Sequence, residues 1–387
     1  MASSKMNIDV DLYLSTVSSK SPAELHPFFA KFTKLHTRRL WHQLTLAIFE
    51  FLDHPLSPPY QVDLFNKFIH DFESKLNQLK LVEIGVKISR QLSDPNEILA
   101  FLSSLLSRID KAAHPAAYVL ALSSLAHAKL VFGDMVGTKT DVDACSTILD
   151  DLDGVEPNVN AAFYGVAADY YKAKAEYAPY YKNSLLYLAC VNPETDITPE
   201  DRLVRAHDLG ISALLGETIY NFGELLMHPI LDSLDNTPHH WIKDLLFTFN
   251  EGNIGKFESL GTQLPREPIL AANADFLRQK ICLMALIEAV FKRSGDQRTM
   301  SFQTIAEETR LPQDEVEHLV MKALSLKLIR GTIDQVDQKA AIVWVQPRVL
   351  SRAQVGELAD RLGDWCAKLA KVEQFIHSQQ TPDLMVS

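Results

Sequence analysis

Residues 302–345 read FQTIAEETRLPQDEVEHLVMKALSLKLIRGTIDQVDQKAAIVWV, and this stretch decides the fold of the carboxy-terminal third of the chain. Apolar residues recur at helical spacing over 302–309 and over 314–326, on either side of a Leu-Pro turn, which predicts two short helices. Residues 328–333 and 341–345 are rich in β-branched side chains and flank a polar run, which predicts a β-hairpin. Two helices followed by a hairpin are typical of a winged-helix domain.

The second strand of this hairpin, AIVWV, carries no charged residue. A two-stranded sheet leaves backbone groups unpaired along its edges, and charges are a common means of keeping other strands away from them. We therefore expect this edge to pair with a neighbouring winged helix. The predicted interface residues are Ile333, Ile342, Val343, Trp344 and Val345. The alternative is that AIVWV is buried against the helices of its own domain.

A long final helix is predicted over 351–377, and its apolar residues are separated by alternating steps of three and four. Such a heptad stripe is narrower than the apolar face of an ordinary surface helix and is typical of lengthwise packing between helices. We expect the stripe to contact partner helices, although packing onto its own domain is the competing account. Its residues are Val355, Leu358, Leu362, Trp365, Leu369, Val372 and Ile376.

Upstream, from about residue 20 to residue 293, apolar stripes at helical spacing alternate with short breaks that carry Gly, Pro, Asn or Asp. Predicted helices cover 40–52, 62–76, 95–109, 115–132, 141–152, 158–175 and 180–191. Paired helices that each bury one face stack into a solenoid, so the fold class is mainly α, with a right-handed, tetratricopeptide-like helical repeat. The predicted domains are a helical-repeat region over 1–176, a second domain over 177–349 whose winged helix covers 295–349, and the last helix with its tail over 350–387.

Two segments of the second domain depart from a plain helical pattern. In 209–230, Gly216 and Gly223 lie seven residues apart. If a single helix ran through both, one helix face would lack side chains and a neighbouring helix could approach closely. The alternative is that Asn221 begins a second helix. In 245–260, Gly252 is predicted to end a helix and Asn253 to cap the next one.

Composition sets limits on function. The 387 residues are 47% hydrophobic and 22% charged with a formal net charge of −11, which predicts a packed protein whose field repels polyanions such as nucleic acid. The four cysteines lie far apart, which favours a reducing compartment. The amino terminus lacks the apolar core of a signal peptide, and no apolar run is long enough for a membrane span. We therefore expect a soluble protein of the cytoplasm and nucleus that does not associate with membranes.

No motif with catalytic, cofactor-binding or metal-binding spacing emerges. His228, His239 and His240 lie near Asp232 and Asp235, but their spacing matches no metal motif, and we expect structural or solvent-exposed roles. Three glycines at 252, 255 and 261 lack the strand and the GK[ST] sequence of a phosphate-binding loop. We expect no catalytic residue, no cofactor, no metal and no enzymatic activity.

Residues 209–350 resemble the PCI family, on the order of their elements and on the stretches LGETIYNFGELLMHPI, FNEGNIGKFESL, LSLKLIRGTIDQVDQ and VWVQPRVLS. Members of this family occur in the proteasome lid, the COP9 signalosome and a translation-initiation factor, and these stretches are most similar to members from the lid. The resemblance implies a non-catalytic scaffold subunit of a hetero-oligomer. Its winged helix would pair with those of other PCI subunits, and its last helix would join a bundle that includes metalloprotease-like subunits.

Two alternatives remain open at the level of sequence. The chain could belong to another PCI complex, such as the signalosome or the initiation factor. A nucleic-acid-binding winged helix is the alternative from another class, but the predicted recognition helix presents Asp314, Glu315 and Glu317 before its single Lys322, and these carboxylates would repel phosphates.

Overall fold

The computed structural model describes residues 10–293, 297–347 and 352–379. Nearly all regular structure is helical, which confirms the mainly α fold class. The chain divides into two compact units after Ile197. The predicted boundary after residue 176, which stays a prediction, lies in the tight turn of a helical hairpin, where Ala175 adopts a left-handed conformation with φ of 56°.

The first unit consists of consecutive helices. They are α1 (Val10–Lys20), α2 (His26–Thr37), α3 (Trp41–Leu52), α4 (Pro58–Leu64), α5 (His70–Phe72), α6 (Gln78–Ser89), α7 (Pro95–Arg108), α8 (Pro115–Val131), α9 (Met135–Asp150), α10 (Pro157–Ala173) and α11 (Tyr177–Cys190). The helix predicted over 62–76 starts earlier and is broken by a π-helical turn, Phe65–Ile69. The helix predicted over 141–152 also starts earlier, because the Asp134 side chain caps it by accepting from the Gly137 amide.

Phenylalanine side chains fill the core of the first unit. Phe32 packs edge-to-face on Phe51 with ring centroids 5.7 Å apart and stacks on Phe68 at 5.8 Å. All three side chains are fully buried. Such offset and edge-to-face pairs add to the stabilisation that burial alone gives, so this cluster ties the first helices of the unit together.

The helical part of the second unit comprises α12 (Pro199–Leu215), α13 (Gly223–Leu226), α14 (His240–Glu251), α15 (Ile254–Leu260), α16 (Pro268–Ala272) and α17 (Ala274–Lys292). Two helices, rather than one, occupy the glycine-containing segment 209–230. Gly216 ends α12, and Asn221 accepts a hydrogen bond from the Gly223 amide at the start of α13, as the second alternative predicted.

The step between α14 and α15 is confirmed in detail. Gly252 adopts φ of 64° and ends α14, while the Asn253 side chain accepts a hydrogen bond from the Lys256 amide at 3.1 Å. A Cβ atom at Gly252 would lie 2.8 Å from the backbone Cα of Ala285 on α17. Glycine is therefore required here both by conformation and by the close approach of a neighbouring helix.

The winged-helix region contains β1 (Thr299–Ser301), α18 (Phe302–Thr309), α19 (Gln313–Ser325), β2 (Ile329–Asp334) and β3 (Lys339–Val345). All strand pairs are antiparallel, and the sheet order is β1-β3-β2. The prediction of a two-stranded sheet is wrong, because a third strand pairs with the first half of β3. β1 pairs with residues 339–341, and the Ile342 amide donates to the Arg298 carbonyl at 3.1 Å, so β3 is the central strand.

The final helix, α20, spans Arg352–Gln379, close to its predicted range. No helix in the described ranges combines the length and the apolar character that a bilayer crossing needs.

Candidate interaction surfaces

The seven apolar residues predicted to form the heptad stripe of α20 are all exposed. Their exposed fractions run from 48% for Leu358 to 59% for Trp365. Every side chain that the structure describes on α20 is exposed. Phe375 is 63% exposed and lies next to Ile376, and the strict heptad spacing missed it. The described part of the chain thus leaves the stripe uncovered, as contact with a partner helix requires; the interface itself stays a prediction.

The five residues predicted at the winged-helix edge do not share one environment. Ile342 and Val345 are buried in their own domain, at 4% and 8% exposure, and Ile333 is half-buried. Trp344 is half-buried beneath the Arg330 guanidinium, which lies 4.8 Å from the centre of its ring. For Ile342 and Val345 the structure agrees with the alternative of burial against the chain's own helices.

Val343 differs from its neighbours because of a β-bulge. Arg330 pairs with Trp344 and Gly331 with Ile342, which leaves Val343 as the extra residue of β3. Its side chain is 80% exposed. An apolar side chain that points outward from a central strand is a candidate contact for a neighbouring subunit. Strand pairing along the edge of residues 339–341 would require the displacement of β1.

The outward face of α19 is acidic and partly engaged within the domain. Gln313, Asp314, Glu315 and His318 are exposed at its amino-terminal end. Lys322 donates a hydrogen bond to the Gln279 side chain of α17 at 2.7 Å. The surface that would face phosphates in a winged-helix–DNA complex therefore presents two exposed carboxylates, Asp314 and Glu315, at its start.

Two cations of the wing make contacts within their own domain. Lys339 forms an ion pair with Asp337 at 3.3 Å, and Arg330 covers Trp344.

The histidine and aspartate residues singled out between 228 and 240 take separate roles. His228 accepts a hydrogen bond from the Ile230 amide at 3.1 Å, and burial lowers its pKa. His240 lies 3.2 Å from Asp235, and Lys243 bridges Asp235 and Asp232. Hydrogen bonding to Lys243 lowers the pKa of Asp235. These contacts are those of a helix-end ion-pair network.

His239 joins a different set of residues, which sequence spacing could not reveal. Glu267 Oε1 lies 3.0 Å from His207 Nε2 and 3.7 Å from His239 Nδ1. The two imidazole rings pack edge-to-face with their centres 4.6 Å apart. His207 Nδ1 also lies 3.5 Å from Asp208, and hydrogen bonds to Asp208 and then Glu267 raise the pKa of His207 despite its partial burial. We call this set the His207–His239–Glu267 cluster.

Lys280 of α17 is the second polar feature that the sequence did not indicate. Its side chain is 1% exposed, and its Nζ atom donates to the carbonyl oxygens of Ala213, Leu214 and Gly216 at 2.8, 2.9 and 2.7 Å. These carbonyls belong to the last turn and cap of α12, where backbone acceptors lack helical partners. Burial lowers the pKa of Lys280 to about 7. The residue thus closes the end of α12 from inside the core.

The environments of two cysteines and three glycines favour structural roles. Burial raises the pKa of Cys145 and of Cys282 to about 11, so both stay protonated at neutral pH and are poor nucleophiles. Gly252, Gly255 and Gly261 lie at helix ends or within α15 and its continuation, where they fit helix punctuation rather than a phosphate-binding loop.

Family models cover most of both units. The model described as PSD13 N-terminal repeats matches residues 28–246, and the model described as PCI domain matches residues 258–342. The first match confirms a helical-repeat region, and the second covers the winged helix as far as residue 342, within β3. The handedness of the repeat and the domain limits 177–349 stay predictions.

Curated relatives match along almost the whole chain. A protein of Schizosaccharomyces pombe named probable 26S proteasome regulatory subunit rpn9 is 40% identical over 93% of this chain and 94% of its own length. The 26S proteasome non-ATPase regulatory subunit 13 homolog A of Arabidopsis thaliana is 36% identical over 97% and 99%. By contrast, eukaryotic translation initiation factor 3 subunit M of Emericella nidulans is 27% identical over only 45% of this chain and 41% of that protein.

These matches agree with the resemblance that the four quoted stretches indicated, and they extend it into the first unit. The chain therefore belongs to the PCI-domain family with PSD13 N-terminal repeats, which includes the regulatory subunits Rpn9 and 13 of the 26S proteasome.

Proposed function

We propose that this chain is a non-catalytic scaffold subunit of the lid of the 26S proteasome regulatory particle, where it supports ubiquitin-dependent protein degradation in the cytoplasm and nucleus. The observation that carries the proposal is the 40% identity, over 93% of the chain, to a relative named as a proteasome regulatory subunit. Identity at that coverage includes both units and the connection between them, so the shared feature is the whole chain rather than one module.

The exposed stripe of α20 supports a role in assembly. Its seven apolar residues are about half exposed in a helix whose described side chains are all exposed. Exposed apolar surface of this extent is typical of a protein interface, and the heptad spacing suits a helix bundle. The partners we propose are helices of other PCI subunits and of the metalloprotease-like subunits, with a second contact at the winged helix through Val343.

The alternatives are weaker on specific grounds. For another PCI complex, the matches to initiation factor 3 subunit M are 24–27% identical and cover about half of this chain and less than half of those proteins. For nucleic-acid binding, the exposed start of α19 carries Asp314 and Glu315, and Lys322 already binds Gln279. Carboxylates at that surface would repel the phosphate backbone.

The experiment that tests the proposal is incorporation into the particle. Three variants would replace the endogenous chain in cells: a truncation after Arg352, Leu369→Asp, and Lys371→Asp as the matched control. Leu369 lies in the stripe and is 49% exposed, whereas Lys371 lies two residues further on and hence on nearly the opposite side of the helix. Both substitutions introduce an aspartate at an exposed site of the same helix.

We expect the truncation and Leu369→Asp to shift the chain from the proteasome peak to smaller species on native gels, while Lys371→Asp stays in the particle. Circular dichroism and thermal unfolding of the purified chains should show nearly unchanged stability, because the stripe is exposed when the chain is alone. Normal incorporation of both stripe variants would contradict the proposed bundle, and co-purification of the full chain without any proteasome subunit would contradict the proposed function.

A further inference from the structure

The His207–His239–Glu267 cluster brings together three possible metal ligands from three parts of the second unit. His207 lies on α12, His239 is the residue before α14, and Glu267 is the residue before α16. One ligand atom from each residue can be chosen so that all three atoms lie within 4.8 Å of one another. The side chains of His207 and Glu267 are 19% and 17% exposed and that of His239 is 37% exposed, so the cluster is partly buried yet reachable from solvent.

We propose that His207, His239 and Glu267 form a zinc-binding site, with its fourth position open to water. Two imidazoles and one carboxylate are among the ligand sets that Zn²⁺ takes in proteins. With metal–ligand distances of about 2.1 Å, a tetrahedral site places its ligand atoms about 3.4 Å apart. The measured separations of 3.0 Å and 3.7 Å from Glu267 Oε1 to the two histidine nitrogens lie on either side of that value.

The charges within the cluster also favour a cation. The ion-pair contacts of the Glu267 carboxylate within the described ranges are to His207 and His239, which carry no charge when deprotonated. An imidazole that binds a metal must be deprotonated, so the three side chains acting as ligands together carry one negative charge in a partly buried position. A divalent cation would balance that charge. It would also coordinate the lone pairs of the imidazole nitrogens, with which another carboxylate could not bond.

The neighbouring groups suit the same arrangement. Asp208 lies 3.5 Å from His207 Nδ1, so it can hold the proton of that nitrogen and leave Nε2 facing Glu267. Carboxylates in this outer position orient metal-bound histidines in many sites. Because His239 and Glu267 each lie at the start of a helix, their backbones are fixed by the fold, and bound zinc would connect the starts of α14 and α16 to α12.

The competing arrangement contains no metal: a protonated His207 held between Asp208 and Glu267. The two arrangements differ in one measurable property. The imidazolium arrangement provides no affinity for zinc beyond that of isolated surface histidines, whereas the proposed site binds one ion per chain and depends on Glu267.

The test uses the tag-free full chain, freed of metal by dialysis against a chelator and studied at pH 8, where protons compete less with the metal for its ligands than at neutral pH. Isothermal titration with Zn²⁺ and the visible spectrum with Co²⁺ would be compared for the parent chain, Glu267→Gln, His207→Asn and His240→Ala. His240 is the matched control, because it lies beside His239, is 49% exposed and pairs with Asp235 instead of Glu267. Circular dichroism would verify that each variant is folded.

We expect one Zn²⁺ per parent chain and the Co²⁺ absorption of a four-coordinate site. Loss of a residue that only hydrogen-bonds to a metal ligand commonly lowers metal affinity 10–100-fold. Glu267→Gln and His207→Asn remove direct ligands, so each should lower Zn²⁺ affinity at least about tenfold, while His240→Ala keeps parent affinity. Absence of zinc binding by the folded parent chain would overturn the proposal. So would equal affinity in the parent chain and Glu267→Gln, which would identify an adventitious ion only. Incorporation into the proteasome is a separate readout, so neither result bears on the proposed scaffold function.

Discussion

Replacement of Lys280 by methionine tests how the second unit is held together. Methionine keeps the unbranched shape of the side chain but removes the Nζ donor group. The carbonyls of Ala213, Leu214 and Gly216 each accept from Lys280 Nζ at 2.9 Å or less. Gly216 also accepts from the Ile219 amide, so the loss falls mainly on the two carbonyls within α12.

The magnitude follows from those two acceptors. A buried polar group that loses its partner costs about 1–3 kcal/mol, so two carbonyls cost about 2–6 kcal/mol. The loss is offset in part because methionine avoids the desolvation of a buried amine. We expect a net decrease of about 3 kcal/mol in the free energy of unfolding. For a unit of this size, that decrease lowers the melting temperature by about 6–12 °C.

The assay is urea unfolding followed by tryptophan fluorescence, with Trp241 as a reporter buried in α14 of the same unit. Hydrogen exchange resolved by peptide would place the loss at the end of α12. Lys292→Met is the matched control, since Lys292 lies on the same helix, 67% exposed, in an ion pair with Glu288. If Lys280→Met and Lys292→Met were equally stable, the view that Lys280 closes α12 would be refuted.

The same lysine and two further sites give three more predictions. Because burial lowers the pKa of Lys280 to about 7, the unfolded chain binds a proton between pH 7 and pH 10.5 that the folded chain has released. The stability of the parent chain relative to Lys280→Met should therefore rise with pH in that window, by at most about 1.4 kcal/mol per pH unit. A difference in unfolding free energy that stays the same at every pH in urea unfolding would exclude this effect. Gly252→Ala should cost about 2 kcal/mol, since φ is 64° and the new Cβ would meet Ala285 at 2.8 Å; Gly261→Ala, with open space around its Cα, should leave the thermal midpoint nearly unchanged. Val343→Asp should weaken incorporation into the particle while Val343→Thr, which keeps the branched shape, retains more of it on native gels; equal incorporation would remove Val343 from the interface.

Local chemistry explains why much of the fold is predictable from the sequence. Gly252 ends α14 and Asn253 caps the start of α15, so both helix boundaries follow from two adjacent residues without any distant contact. The range predicted for α18, 302–309, matches the structure for the same reason: Ser301 caps the helix with its own side chain. Signals of this kind survive in any tertiary context.

The errors came from interactions between distant residues. β1 has only three residues, too few for an alternating pattern, and it becomes a strand only because it pairs with β3. That pairing covers Ala341, and the adjoining Arg298 carbonyl accepts from Ile342, so the start of AIVWV lies between two strands. The His207–His239–Glu267 cluster and the Lys280 contacts join residues that are far apart in sequence, and no local spacing indicates them.

The exposed stripe of α20 also limits how the chain can be incorporated. Burial of a large apolar side chain is worth about 1.5–3 kcal/mol, so covering the remaining half of seven such residues contributes roughly 7 kcal/mol. Association itself costs an estimated 4–15 kcal/mol in lost freedom of motion. One helix therefore supplies too little for a stable subunit contact unless another surface binds simultaneously, and once two surfaces are joined in one chain, each raises the effective concentration of the other. On this reasoning, removal of α20 and disruption of the winged-helix contact should each release the chain from the particle, although neither change needs to unfold it.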